Sequence, residues 1–167
     1  LFEEFRGVLS APASGPLGLP EYLALGARQS LLPPAAREAA HTLFNRYREW
    51  LKETQLFDLN LVAFEWLPLA QPDYAFIVID EVQDLTAVQL ALVLACLKTP
   101  GQFLLCGDSN QIVHPNFFSW SAVKTLFWRG LAGDAAQRSQ MQVLQANFRN
   151  TQAVTGIANA LLKIKQA

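Results

Sequence analysis

The sequence predicts an α/β fold, a parallel sheet flanked by helices and preceded by an all-helical portion. Three observations carry this. The run Phe76-Ile77-Val78-Ile79 stops abruptly at Asp80-Glu81, as a short buried strand does where it reaches the ligand-binding edge of an open sheet. A second run, Phe103-Leu104-Leu105-Cys106, stops in the same way at Gly107-Asp108. The apolar stretch between them reads as a crossover helix, which makes the two strands parallel, right-handedly connected neighbours.

The elements follow in order. Phe2, Phe5 and Leu9 stand at helical spacing, so residues 2–9 predict a short helix, and the Pro, Gly, Ser and Ala of residues 10–19 predict a loop. Pro20 suits the first turn of a short helix through Tyr22, Leu23 and Leu25 that Gly26 can close. Pro33 and Pro34 introduce a long helix to about Gln55. Its apolar stripe is Leu43, Phe44, Tyr47, Trp50 and Leu51, with Arg46, Arg48, Glu49, Lys52 and Glu53 largely outside it. That aromatic stripe reads as core rather than as a nucleic-acid platform. Asp58 caps a further helix through Leu61, Val62 and Leu67, which Pro68 and Pro72 end.

Beyond the first strand, Thr86 caps the apolar helix 88–97, and Thr99-Pro100-Gly101 is a turn into the second strand. A loop over residues 109–116 leads into an aromatic helix containing Phe117, Phe118, Trp120, Leu126, Phe127 and Trp128. Residues 141–144 predict a third strand, ending near Asn147-Phe148-Arg149. Thr151 caps a last helix to about Lys165, whose lysines near its C-terminus suit the helix dipole.

Composition bounds the possibilities. With 167 residues, 51% of them hydrophobic, the chain can build a sizeable core, burying roughly two-thirds of its unfolded surface. A net charge of −1 neither requires nor forbids a nucleic-acid partner, since a basic groove can sit within a neutral total. Cys96 and Cys106 lie within apolar runs and read as buried, reduced thiols. No stretch reaches the roughly 18 apolar residues of a membrane span, and no secretory signal opens the chain. A cytoplasmic location, or a nuclear one in a eukaryote, is therefore expected rather than secretion. The chain opens on Leu1 and its single methionine is Met141, so an excised portion of a larger protein is expected.

Three predicted strands end in polar groups: Asp80 and Glu81, then Asp108 and Gln111, then Asn147 and Arg149. Parallel neighbours would bring these groups to one edge of the sheet. Acids, an amide and an arginine are what phosphoryl transfer requires. One carboxylate holds Mg²⁺, a second orients or deprotonates water, an amide positions a phosphate oxygen, and an arginine neutralises developing charge. A solvated Asp-Glu turn after a core strand is the plain alternative.

These residues also carry a family resemblance. Asp80-Glu81-Val82-Gln83-Asp84 resembles motif II of UvrD/Rep-like superfamily 1 helicases, Asp-Glu-x-Gln-Asp. Gly107-Asp108-Ser109-Asn110-Gln111 resembles motif III, Gly-Asp-x-x-Gln, and Leu144-Gln145-Ala146-Asn147-Phe148-Arg149-Asn150 resembles motif IV. The resemblance covers about residues 73–162. Glu21-Tyr22-Leu23-Ala24-Leu25-Gly26 with Gln29-Ser30 also resembles, less specifically, a segment before motif II in some large UvrD-like proteins.

The resemblance implies a partial P-loop NTPase, a three-layer RecA-like parallel sheet, with ATP and Mg²⁺ as cofactors and single-stranded DNA as partner. It implies that Asp80 binds Mg²⁺, that Glu81 activates the hydrolytic water, and that Gln111 and Arg149 contact the γ-phosphate. Gln83 and Asp84 would hold the site together, Gln83 as a hydrogen bonder behind it. The family continues beyond motif III with a tyrosine and a base-stacking aromatic. Here His114 stands in the tyrosine's place and the aromatics are displaced in register, leaving His114, Phe118 and Trp120 as DNA candidates. Phe118 and Trp120 read equally well as helix core, and His114 as a structural loop residue.

No Gly-x-x-x-x-Gly-Lys-Ser/Thr occurs, and none of the 9 glycines precedes a lysine, so the phosphate-cradling loop is absent from these residues. The resemblance therefore implies residues 1–70 as part of an inserted helical subdomain with its linker, and residues 71–167 as the C-terminal half of the first RecA-like domain. The N-terminal half and the second motor domain would be missing partners. The isolated chain is expected neither to hydrolyse ATP appreciably nor to unwind DNA, and its unpaired strand edges predict a dimer, a domain swap or a rearranged sheet. Two other readings stand beside this one: a non-catalytic, helicase-derived module that binds DNA or protein, and a small Mg²⁺-dependent phosphohydrolase, which lacks an identifiable nucleophile or phosphate loop.

Overall fold

In the computed structural model, the structure describes residues 1–108, 142 and 149–166. The predicted third strand and the aromatic helix around Phe117–Trp128 lie outside them. Two compact units divide the chain, Leu1–Ala136 and Gln137–Ala167.

The first unit opens with α1 (Phe2–Glu4), which runs on as a π-helical turn over Phe5–Leu9. A loop leads to α2 (Leu19–Leu23), and α3 (Pro34–Thr54) starts at the proline the sequence marked. The seam α3 turns inward is Arg37, Ala40, Phe44 and Leu51, with Tyr47 half-buried between. This spacing of three and four follows one face of the helix. Leu43 and Trp50, expected in the stripe, stand one position off that seam and remain 43% and 47% exposed. Phe5 packs between Phe44 and Tyr47, with ring centroids 5.2 and 5.5 Å away.

Two buried ionisable side chains shape the segment between α2 and α3. Glu4 accepts hydrogen bonds from Tyr22 Oη (2.6 Å), Ser30 Oγ (2.5 Å) and the Leu31 N–H (2.8 Å). Arg37 donates to the carbonyls of Leu25 (2.5 Å), Gly26 (3.2 Å) and Leu32 (3.3 Å). Each charge is thus surrounded by fixed dipoles, the condition under which a buried charge is tolerated.

Asp58 caps α4 (Leu59–Trp66) as expected, its Oδ1 accepting from the N–H groups of Asn60 (2.9 Å) and Leu61 (3.2 Å). A 3₁₀ turn at Leu67–Leu69 ends it. β1 (Ile77–Ile79) then pairs in parallel with β2 (Phe103–Leu105), matching Ile77 to Phe103, Val78 to Leu104 and Ile79 to Leu105. Between them lie a 3₁₀ turn, Val82–Asp84, and α5 (Ala87–Ala95), whose first turn is tied by the Thr86 N–H donating to Gln89 Oε1 (3.2 Å). The predicted strand–helix–strand crossover is therefore present.

The strands were expected to be buried. Instead, among the described residues, one face is covered: Ile79 and Val82 pack with Leu90, flanked by Ile77, Leu85, Val93, Leu94 and Leu105. On the other face Val78 is 62% and Leu104 51% exposed, because period-two alternation sends these side chains away from α5. The expectation of a buried Cys106 fails for a related reason. It lies just past the end of β2 and is exposed, while Cys96 is half-buried, and both are free thiols.

In the second unit, α6 (Gln152–Gln166) begins where Thr151 was expected to cap it, with the Thr155 N–H donating to the Thr151 carbonyl (3.0 Å). Val154, Ile157 and Leu161 recur along it at helical spacing and are exposed. Among the described residues, no helix is long and apolar enough to cross a membrane.

Candidate nucleotide site at the strand ends

β1 ends at Ile79, and the backbone then turns sharply. Asp80 is exposed, and its Oδ1 accepts from the Glu81 N–H (2.9 Å). Glu81 itself has φ 51° and ψ 41°, the left-handed region. A non-glycine residue held there costs on the order of 1–3 kcal/mol and persists only where the surroundings enforce it. Two such residues occur among the described positions, and the other, Gln55, merely ends α3 in a left-handed cap. Glu81 ends no helix of that kind. It lies just beyond the C-terminal end of a parallel strand, in the motif the sequence singled out.

The enforcing contacts are specific. The Val82 N–H donates to the Cys106 carbonyl (3.0 Å) and the Cys106 N–H to the Ile79 carbonyl (2.8 Å), so the exits of β1 and β2 are fastened together. The Asp84 N–H closes the turn on the Glu81 carbonyl (2.9 Å). Gln83, 2% exposed, donates from Nε2 to Glu81 Oε2 (2.6 Å) and accepts at Oε1 from the Asp108 N–H (3.1 Å). Gly107 lies against this amide. A Cβ added there would stand 2.5 Å from Gln83 Oε1 and 2.9 Å from Val82 Cγ1.

The residues marked by the sequence thus divide. Asp80, Glu81, Gln83 and Asp108 come together at one edge of the parallel pair. Gln111, His114, Phe118 and Trp120 lie outside the described residues. Arg149 is exposed at a bend before α6, in the other compact unit. Gln83 fills the hydrogen-bonding role expected of it and extends it to Asp108. The crowding at Gly107 was not legible, since a Gly-Asp pair after a strand says nothing of what lies beside it.

The donor set fits a hard cation of modest demands. Asp80 is an exposed carboxylate at the strand end, with one oxygen oriented by the backbone. Among the described residues no group of three or more His, Cys, Asp or Glu is placed to hold a metal. Mg²⁺ needs no such cluster, because it keeps several waters and shares its shell with phosphate oxygens.

Comparison with known proteins meets these motifs directly. The UvrD/REP helicase N-terminal domain matches residues 34–120, from the start of α3 through Gln111, His114 and Phe118 to Trp120. The segment around Arg149 lies beyond that match. A probable DNA helicase of Mycoplasma pneumoniae is 27% identical over 136 residues, covering 75% of this chain and 25% of that protein. The chain therefore spans about a quarter of the length of that curated relative. No solved structure matches. With its family match taking in α3, α4 and both strand ends, the chain belongs to the UvrD/REP helicase family, as part of its N-terminal domain.

Proposed function

We propose that this chain is part of an ATP-dependent DNA helicase or translocase, and that its β1–β2 edge supplies one wall of the nucleotide site. The observation that carries the reading is Glu81, held in a left-handed conformation beyond a parallel strand and gripped by Gln83. An exposed acid kept in a costly backbone state by a buried amide is arranged for use.

In this reading Asp80 holds Mg²⁺, Glu81 orients and deprotonates the attacking water, and Gln111 and Arg149 meet the γ-phosphate. The cation, when bound, neutralises charge on the phosphate oxygens. His114, Phe118 and Trp120 are the candidates for contact with single-stranded DNA. We assign residues 1–70 to the inserted helical subdomain with its linker and residues 71–167 to the later half of a RecA-like motor domain. The phosphate loop and the second motor domain then belong to the longer protein. The exposed Val78 and Leu104 favour this, since they offer an apolar sheet face for further structure, or for a second copy when the chain is alone. The alternative, a helicase-derived interaction module without catalysis, is weakened by the intact set Asp80, Glu81, Gln111 and Arg149.

The test is ATP turnover. In the longer protein, turnover stimulated by single-stranded DNA should be abolished by Glu81→Gln while nucleotide binding is retained. The 167-residue chain alone should show no appreciable turnover. Steady hydrolysis by the isolated chain, lost in Glu81→Gln, would overturn the assignment of the phosphate loop to another segment.

A further inference from the structure

We infer that Gln83 is a positioning residue that transmits the position of the β2 exit to the Glu81 carboxylate, and that residue 107 is glycine so that this relay can close. The inference rests on the role assigned to Glu81 above.

A primary amide has an acceptor end and a donor end, and something must decide which faces which neighbour. Here the backbone decides. The Asp108 N–H can only donate, so the end facing it is Oε1, at 3.1 Å. Nε2 is thereby turned to Glu81 Oε2 and donates across 2.6 Å. Gln83 is 2% exposed, so water does not compete for this arrangement. Glu81, by contrast, is exposed, and a free glutamate side chain would sample many rotamers. The left-handed turn at Glu81 leaves its carboxylate within reach of the residue two positions on. One buried amide therefore connects the corner where the Gly107-Asp108 motif begins to the carboxylate of the Asp80-Glu81 motif.

The glycine follows from the same geometry. Gly107 has no left-handed φ, so its requirement is space rather than conformation. An added Cβ would lie 2.5 Å from Gln83 Oε1, 2.9 Å from Val82 Cγ1 and 3.3 Å from the Val82 nitrogen. Val82 is fully buried and anchored through its N–H to the Cys106 carbonyl. The amide is therefore the group that gives way, and Glu81 moves with it. Through Gln83, residue 107 acquires control over the carboxylate.

NMR of the isotopically labelled chain at neutral pH tests this with three variants. The readouts are the exchange rate of the Asp108 amide and the side-chain carboxyl carbon signal of Glu81. The Tyr74 and Lys98 amides serve as internal references, being bonded elsewhere to the Cys96 and Tyr74 carbonyls. Gln83→Leu should speed Asp108 exchange about tenfold and shift the Glu81 signal. Gln83→Glu keeps an acceptor for Asp108 but sets a like charge against Glu81, so the Glu81 signal should shift while Asp108 exchange stays near that of the parent. Gly107→Ala should shift the Glu81 signal although it alters no group in contact with Glu81. In the longer protein, Gln83→Glu should lower kcat with KM for ATP little changed.

An unmoved Glu81 signal in Gly107→Ala overturns the relay. So does acceleration of Tyr74 and Lys98 equal to that of Asp108 in every variant, which would mark general loosening. Failure of Glu81→Gln to stop turnover would instead sink the role of Glu81 and leave these signals untouched.

Discussion

Thr86 Oγ1 donates to Asn60 Oδ1 across 2.7 Å, joining residues 26 positions apart, both of them buried. Thr86 starts the helix that follows the Asp80–Asp84 turn, and Asn60 belongs to the first turn of α4. Asn60 Oδ1 also accepts from Gln89 Nε2 (2.9 Å), and its Nδ2 donates to the Arg6 carbonyl (2.8 Å) and to Ser10 Oγ (2.9 Å). One amide thus connects the π-helical turn, α4 and α5. Asn60→Ala would leave two buried hydroxyls, a side-chain amide and a carbonyl without this partner. The expected loss is about 2–4 kcal/mol, read from the urea midpoint. A change below about 0.5 kcal/mol, the range of ordinary surface substitutions, would show that water replaces the amide freely.

Two glycines with positive φ should respond unequally to alanine. Gly15 has φ +106°, and a Cβ there meets the Phe64 ring at 2.6 Å, whereas Gly101 has φ +88° with nothing within 4 Å. Gly101→Ala should cost only its backbone strain, about 1–2 kcal/mol. Gly15→Ala should cost that and the displacement of Phe64. Thermal melts of the two variants give the comparison, and a milder effect at Gly15 would contradict the packing.

Stability should fall in strong alkali. Burial, reinforced by the hydrogen bond to Glu4, pushes the Tyr22 hydroxyl up from 10.0 to about 12. Burial, with Asp58 nearby, does the same to Tyr47, also to about 12. The folded state therefore holds protons that the unfolded chain releases between pH 10 and 12. The stabilisation is complete below pH 10 and is lost as pH rises through 12, with a limiting slope of about 1.4 kcal/mol per pH unit for each tyrosine. Denaturation midpoints between pH 8 and 12 should show the decline, and Tyr22→Phe should flatten it.

Thiol chemistry should distinguish the two cysteines. Cys106 is exposed, whereas Cys96 is half-buried and its Sγ contacts the Leu92 carbonyl at 3.5 Å. Alkylation followed by mass spectrometry should label Cys106 first. The backbone bonds of Cys106 to Ile79 and Val82 do not involve its side chain, so the labelled chain should keep its fold. Faster labelling of Cys96 would contradict the exposures.

Local signals in the sequence reached far. Pro34 and Asp58 mark the starts of α3 and α4, Thr86 marks α5, and the change from apolar to acidic residues marks where β1 ends. Each of these is decided within a few residues of the chain. What escaped depends on distant partners. Asn60 looks like any polar residue in a first turn until Arg6, 54 positions away, is brought beside it. Arg37 carries no local signal of burial, which follows from the Leu25 and Gly26 carbonyls that gather around it. At the site, the identities of Asp80, Glu81 and Gln83 were legible from the motif. The twist at Glu81 and the crowding at Gly107 were not, because both arise from the meeting of two strand exits.

The twist at Glu81 sets usefulness against endurance. Glycine adopts that backbone geometry freely, so Glu81→Gly would erase the acid and relieve the turn in one step. A protein kept only for its shape would gain from the exchange, whereas one kept for its reactivity would have to refuse it. If the glycine variant melts higher than its parent, the glutamate is being retained at the expense of robustness, and a thermometer alone will have registered the demand for chemistry.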